Sequence, residues 1–324
     1  MGDLGVGRVV LVTGVSRYLG GQLARILSED PAIDQVIGVD VVPPKLKLPG
    51  MQFVRADIRN PVIAKVLGEA GVETVVHMGV IATPRQAGGR ATMKEINVIG
   101  TMQLLAACQR TPSVKALVVK STASVYGSGP KDPAMFTEEM QPRHAPRSGW
   151  AKDSSEVEGY VRGFARRRPD VAVTTLRFAN FIGPGIDTAM TTYFSLPVIP
   201  TVLGFDARLQ FIHEDDGLEF VKRAVLKSYP GTFNVAGSGV LMLSQAIRRT
   251  GHQRIALPEF LFTPFGRSIS QAGLIDFTAE QVRYLTYGRV LDTALATSTF
   301  GHQPMYSTPQ AFASFLARRE VSVA

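Results

Sequence analysis

The chain has 324 residues, 45% of them hydrophobic, which suits one large domain or a main domain with a smaller lobe and argues against wholesale disorder. The formal net charge of +8 invites a nucleic-acid reading, but the sequence has neither zinc-ligand spacing nor interleaved basic and aromatic residues, so no nucleic-acid partner is expected. One cysteine, Cys108 in the apolar run TMQLLAACQR, forms no internal disulfide, and no secretion leader or run of about 18 apolar residues is seen. A cytoplasmic protein without a transmembrane segment is the expectation.

From residue 9 onward, short β-rich runs alternate with helical patterns. VVLVTG (9–14) precedes a helix near 20–28, and VIGVD (36–40) and QFVRADI (52–58) follow. TVVHMG (74–79) leads to a long helix near 90–110, then to ALVVKST (116–122). A polar, Pro-rich loop spans 127–149, a helix runs to about Arg168, and VAVTTLRF occupies 171–178. Nearly unbroken apolar runs suit strands covered on both faces, so the order predicts an α/β doubly wound parallel sheet. Residues 1–183 are assigned to this dinucleotide-binding domain, with 209–237 returning to it. Residues 184–208 and 238–324 form a smaller mixed C-terminal lobe. The cluster Arg166, Arg167 and Arg168 reads as cations at a helix end, or as a basic face for anionic lipid or an acidic partner.

The turn TGVSRYLG after the first strand carries the first chemistry. In such turns, backbone N–H groups and a helix N-terminus meet a pyrophosphate, and glycine lets the backbone come close. Gly14 and Gly20 hold the first and last positions, with Ser16 and Leu19 between them. Arg17 and Tyr18 occupy the two places where a middle glycine would fall. Asp40 ends the second strand, where a carboxylate accepts from the adenosine ribose and repels a 2′-phosphate. Asp57 and Ile58 follow the third strand and are placed by the adenine. Arg17 favours a phosphate, so the reading is NAD with NADP as the alternative.

Motifs in this order resemble the extended short-chain dehydrogenase/reductases of the NAD-dependent epimerase/dehydratase type. The resemblance rests on TGVSRYLG and Asp40, HMG (77–79), NVIGTMQLL (97–105), STASVYG (121–127), LRFANFIGPG (176–185), LQFIHEDD (209–216), TFNVAG (232–237) and GRVLD (288–292). It implies a Rossmann fold, cofactor contacts from Met78, Gly79 and Asn97, and a homodimer. Active members carry Tyr-x-x-x-Lys on one helix face beside a Ser or Thr at a strand end. The lysine lowers the phenol's pKa, and the phenol shuttles a proton.

Here the resemblance puts Thr122 at the hydroxyl position, with Ser124 beside it toward the substrate. The helix reads SGWAKDSSEVEGYVRGFA. If Val157, Tyr160, Val161 and Phe164 form its inward face, Trp150 falls at the tyrosine and Ser154 at the lysine. The standard relay is then lost, which makes this an atypical member. A rival register sets Ser148 and Lys152 as the pair but turns Glu158 and Gly159 inward; Lys152 also reads as a solvated lysine or as a recruited catalytic one. No metal spacing is found among His77, His144, His213, His252 and His302. His213 with Asp215 and Asp216 is a weak site candidate. Asn180, Arg208 and Arg289 are assigned to the substrate side, the two arginines by analogy with phosphate clamps. The stretch AMTTYFSLPVIPTVLGFDARLQF is mostly apolar, so Phe194, Leu196, Val198 and Val202 are either lobe core or the wall for an apolar small molecule, a membrane surface or a partner protein. Three functions compete: a cofactor-binding or regulatory protein, an atypical oxidoreductase or epimerase, and a scaffold.

Overall fold

The computed structural model describes residues 9–44, 48–79, 81, 88–143, 146, 149–261 and 279–323. Strand β1 (Val9–Thr13) is followed by helix α1 (Tyr18–Ser28), β2 (Gln35–Asp40), β3 (Met51–Arg55), α2 (Val62–Glu69) and β4 (Thr74–His77). Next come α3 (Arg90–Lys94), α4 (Thr101–Arg110), β5 (Ala116–Thr122), α5 (Gly149–Arg167), β6 (Ala172–Phe178) and β7 (Asn180–Ile182). The remainder comprises α6 (Ala189–Phe194), β8 (Val198–Val202), β9 (Arg208–Leu209), β10 (Phe211–His213), α7 (Glu214–Leu226), β11 (Gly231–Val235), β12 (Leu241–Met242), α8 (Leu243–Thr250), β13 (Gln253–Leu257), α9 (Ala279–Tyr287), α10 (Ala294–Phe300) and α11 (Thr308–Val323).

Seven strands form one sheet in the order β11-β6-β5-β4-β1-β2-β3. β1 runs parallel to both β2 and β4, β2 to β3, and β4 to β5. The order reverses between β1 and β4, and an α/β sheet opens its ligand crevice at such a switch point. The doubly wound α/β expectation is met. The chain divides into two compact units, Met1–Ser121 with Asp153–Arg177 and Leu218–Phe233, and Thr122–Lys152 with Phe178–Gly217 and Asn234–Ala324.

Two boundaries differ from those read in the sequence. The third strand stops at Arg55 because Asp57 turns the chain: its Oδ1 accepts from Arg59 N at 2.9 Å, and Asn60 N donates to its carbonyl at 2.8 Å. The long helix near 90–110 is broken by a π-helical stretch, Glu95–Gly100, between α3 and α4. Asn97 lies in that stretch. Its Oδ1 accepts from Ile81 N at 2.7 Å and its Nδ2 donates to Ile81 O at 2.8 Å. Arg168 also departs from the reading of its cluster. Its guanidinium donates to Cys108 O and Gln109 O at 3.0 and 3.2 Å, so it caps the C-terminus of α4 rather than that of its own helix.

His77 locks the middle of the first unit. Its Nδ1 lies 2.9 Å from Thr13 Oγ1 and its Nε2 2.8 Å from Thr101 Oγ1. The Thr101 hydroxyl donates to Asn97 O, so it accepts from Nε2–H, and Nδ1 must accept from Thr13. Together the two bonds require a neutral His77 imidazole. Burial drives the His77 pKa down to about 4, with the charge of Lys120 adding to the effect.

Helix α5 is fixed by a buried carboxylate. Glu158 Oε1 accepts from Ser121 Oγ at 2.6 Å, and Arg177 closes on both carboxylate oxygens, with Nη2 2.6 Å from Oε2. Glu158 and Arg177 are almost wholly enclosed. The expectation that Glu158 faces away from the core is therefore corrected, because an enclosed arginine compensates its charge. Tyr160 is corrected in the opposite sense: it is 39% exposed, and the inward face consists of Val157, Val161 and Phe164. Beside this, Arg90 grips the fully buried Asp153 with two bonds of 2.7 Å.

In the second unit, the apolar stretch of the sequence builds the core. Phe194, Leu196 and Val202 are buried, and Phe194 meets Phe312 edge-on at 4.9 Å between ring centroids. Of the four residues weighed as a ligand wall, Val198 alone is exposed. Arg289 is held inside, with Nε 2.7 Å from Gly127 O and Nη2 3.0 Å from Ser128 Oγ.

Two outcomes follow. The folded state holds His77 neutral to about pH 4, whereas the unfolded chain protonates it near 6.5. Its contribution is complete above pH 6.5 and is lost as the pH falls from 6.5 toward 4, by about 3 kcal/mol at most. Urea unfolding from pH 7 to 4 is expected to show this decline, and His77→Gln to flatten it. Replacing Arg177 by Met leaves the buried Glu158 with only Ser121 and the exposed Arg162, 3.5 Å away, and is expected to destabilise by about 3 kcal/mol in urea melts. Adding Glu158→Leu to that variant is expected to restore most of the loss.

Candidate functional site

The β1–α1 turn is shaped by two glycines that admit no side chain. Gly14 has φ +77°, and a Cβ there would lie 2.9 Å from Gly79 Cα. A Cβ on Gly20 would fall 2.2 Å from Gly14 O, so α1 sits directly on the turn. Arg17 is the N-cap of α1 without a capping side-chain bond, and the first turn holds no acidic residue. The first turn of α1 thus supplies no carboxylate to its own N–H groups. Close backbone and a helix N-terminus with no acidic first turn are what a dinucleotide diphosphate requires.

Asp40 fastens the turn to β2. Its Oδ2 accepts from Ser16 N at 3.1 Å and Ser16 Oγ at 2.6 Å, and its Oδ1 accepts from Val41 N at 2.8 Å. A carboxylate has about four lone-pair sites, so it still has acceptor capacity for one ribose hydroxyl. Arg17 is attracted by Asp40, an effect that opposes the lowering of its pKa by burial. Tyr18 is exposed and Leu19 half-buried on α1. Asp57 is bound bidentately by Arg59, the shortest contact being 2.6 Å, and this holds its pKa below the usual carboxylate value. Ile58 is buried, and a Cβ on Gly100 would lie 2.8 Å from its Cδ1. Met78 is buried, and Gly79 backs onto Gly14.

Lys120, near the end of β5, was not among the sequence candidates. It stands in a strand whose other residues are buried, and burial together with repulsion from Arg17 drives its pKa down to about 8. The available signal was a charge inside the apolar run ALVVKST.

On α5 the unbroken helix gives Trp150 and Ser154 four-residue spacing, one turn apart. The Nε1 of Trp150 and the Oγ of Ser154 are both buried and have no hydrogen-bond partner among the described residues. Ala151, Asp153, Ser154, Val157, Glu158, Val161 and Phe164 are buried, while Lys152, Ser155, Glu156 and Gly159 form a half-buried stripe. Ser148, the other half of the rival pair, lies outside the described residues. Thr122 Oγ1 accepts from Ser124 N at 3.1 Å and from Ser124 Oγ at 3.2 Å, so its own proton remains available for donation.

Of the substrate-side candidates, Asn180 is half-buried on β7 beside the Tyr284 hydroxyl, and Arg208 is exposed on β9. Arg289 has the internal partners given above, and burial lowers its pKa to about 10. His213 stacks on Tyr306 at 3.9 Å and lies 3.0 Å from Ser314 Oγ. Asp216 accepts from Met305 N and Tyr306 N, a structural role. Tyr126 is buried, with its hydroxyl 2.9 Å from Asn234 Oδ1. No group of three or more His, Cys, Asp or Glu able to hold a metal stands together among the described residues. No helix among them is long and apolar enough to cross a membrane.

Known proteins match this chain along most of its length. The profile of the NAD dependent epimerase/dehydratase family matches residues 10–236. An uncharacterized protein of Mycobacterium tuberculosis (strain ATCC 25618 / H37Rv) is 46% identical over 316 residues, 96% of this chain and 84% of that protein. A UDP-glucose 4-epimerase of Thermotoga maritima, solved with UDP-glucose, superposes with a TM-score of 0.75 at 18% identity over 98% of this chain and 100% of its own. MoeE5 in complex with UDP-glucuronic acid and NAD superposes with a TM-score of 0.74 at 19% identity, over 98% of this chain and 100% of that one. These two superpositions speak for the fold alone. The profile match, running from the first strand to the end of β11, places the chain in the NAD dependent epimerase/dehydratase family.

Proposed function

We propose that this family member binds NAD(H) and lacks the tyrosine–lysine proton relay, so that it acts through cofactor binding rather than through the family-typical turnover. One observation carries the reading: Trp150 and Ser154, one turn apart on α5, have buried polar atoms with no partner among the described residues. The inward placement of Ser154, Val157, Val161 and Phe164 supports the register that puts them at the relay positions.

The residues of the turn suit the cofactor. Gly14 and Gly20 let backbone N–H groups approach a diphosphate at the N-terminus of α1. Asp40 is placed to accept from the adenosine ribose, and its charge disfavours a 2′-phosphate, so NAD is preferred over NADP. Arg17 sits within the field of Asp40, which partly offsets its pull on a phosphate. When bound, NAD supplies a hydride acceptor. An indole has no proton to shuttle near neutral pH, and a serine has no charge with which to lower a phenol's pKa.

The expected result in calorimetry is binding of NAD(H) that weakens roughly 10- to 100-fold on Asp40→Asn, the loss expected for one charged hydrogen bond. No binding of NAD(H) or NADP(H) at millimolar concentration would overturn the reading. With UDP-glucose or UDP-glucuronic acid plus NAD, chromatography is expected to return unchanged sugar, with no change in nicotinamide absorbance. Sustained conversion of either would restore ordinary catalysis as the function.

A further inference from the structure

The register of the sheet shows where the lysine of β5 stands. Thr13 pairs with His77, and His77 with Val119, so these three share one row. The next row toward the carboxyl edge is Gly14, Met78 and Lys120. Side chains alternate along a strand, so this row points away from the face that holds His77 and Thr101. Lys120 lies two strands from Gly14, roughly 10 Å along the edge. It has no carboxylate or hydrogen-bond acceptor among the described residues, and Arg17 of the glycine turn repels it. Lys120 is half-buried between buried neighbours, and no group among the described residues answers its charge.

A dinucleotide across this switch point has a fixed sense. With Asp40 on the adenosine ribose at β2, the other nucleoside lies on the β4 and β5 side. Lys120 belongs to that half. The nicotinamide ring bears a positive charge when oxidised and none when reduced. We propose that Lys120 selects the redox state of the cofactor, its ammonium disfavouring the oxidised, cationic ring and so favouring NADH over NAD⁺. The proposal rests on the NAD reading above.

Arg17 from the turn and His77 from β4 are the titratable groups whose fields couple to Lys120. Arg17 stays cationic, and His77 is neutral above about pH 4. Lys120 is mostly protonated at pH 7, because its pKa lies at about 8, and mostly neutral at pH 9.5.

The test measures dissociation constants for NADH and NAD⁺ with the intact protein, Lys120→Met and Lys120→Arg, with circular dichroism as the folding control. The expected preference for NADH is about tenfold at pH 7 in the wild type. It should persist in Lys120→Arg, collapse in Lys120→Met, and shrink in the wild type between pH 7 and 9.5. Should Lys120→Met not fold, the pH series decides. A preference that survives Lys120→Met, is insensitive to pH, or is absent from the wild type overturns the proposal while leaving NAD binding intact. Asp40→Asn separates the two readings, since it should weaken both forms without changing their ratio. A wild type that binds neither form removes the NAD reading, and the selector with it.

Discussion

A carboxylate sealed inside a protein is tolerable only when its charge is answered at close range. Glu158 meets that demand through Arg177 and Ser121, and this fixes the rotation of α5 about its own axis. The rotation decides which residues of the helix turn inward one and two turns earlier. Ser154 is one turn away and Trp150 two, so the placement of both depends on an ion pair further along the helix. The hydroxyl that completes the pairing, Ser121, immediately precedes Thr122 on β5. Strand end and helix face are thereby indexed to one another by a single acidic group.

The sheet was legible because its strands are apolar on both sides and each is short, a pattern that helices do not share. The end of the second strand at Asp40 was legible for a different reason: a charged residue closes its apolar run. The same rules failed where a polar group was buried with partners remote in sequence. Glu158 lies 19 residues from Arg177 and 37 from Ser121, and no local periodicity carries that information. Tyr160 misled because an aromatic ring in an apolar stripe reads as core, yet it stands at the solvent edge of the helix. Lys120 was passed over because a lysine inside a strand pattern is usually taken for an edge.

The second unit illustrates how composition alone can suggest a ligand. Its apolar stretch is consumed by an aromatic cluster in which Phe194, Phe211 and Phe312 meet at centroid distances between 4.9 and 6.2 Å. Arg289, read as an anion contact, binds a carbonyl and a hydroxyl of the loop after β5. Both features stiffen the unit.

The π-helical stretch Glu95–Gly100 has an evolutionary consequence. Such a stretch is an α-helix that has absorbed one surplus residue without shedding its fold. Here the surplus is pinned at both sides: Asn97 holds the backbone of Ile81, and Thr101, just beyond, answers His77. Deleting one residue between them would let ordinary i to i−4 bonding run through, and would swing one flank by about 100° relative to the other. One of the two anchors would then point into solvent. Relatives of this chain should therefore vary this segment by substitution and conserve its length, even though helices elsewhere in the fold can gain or lose a turn at their ends.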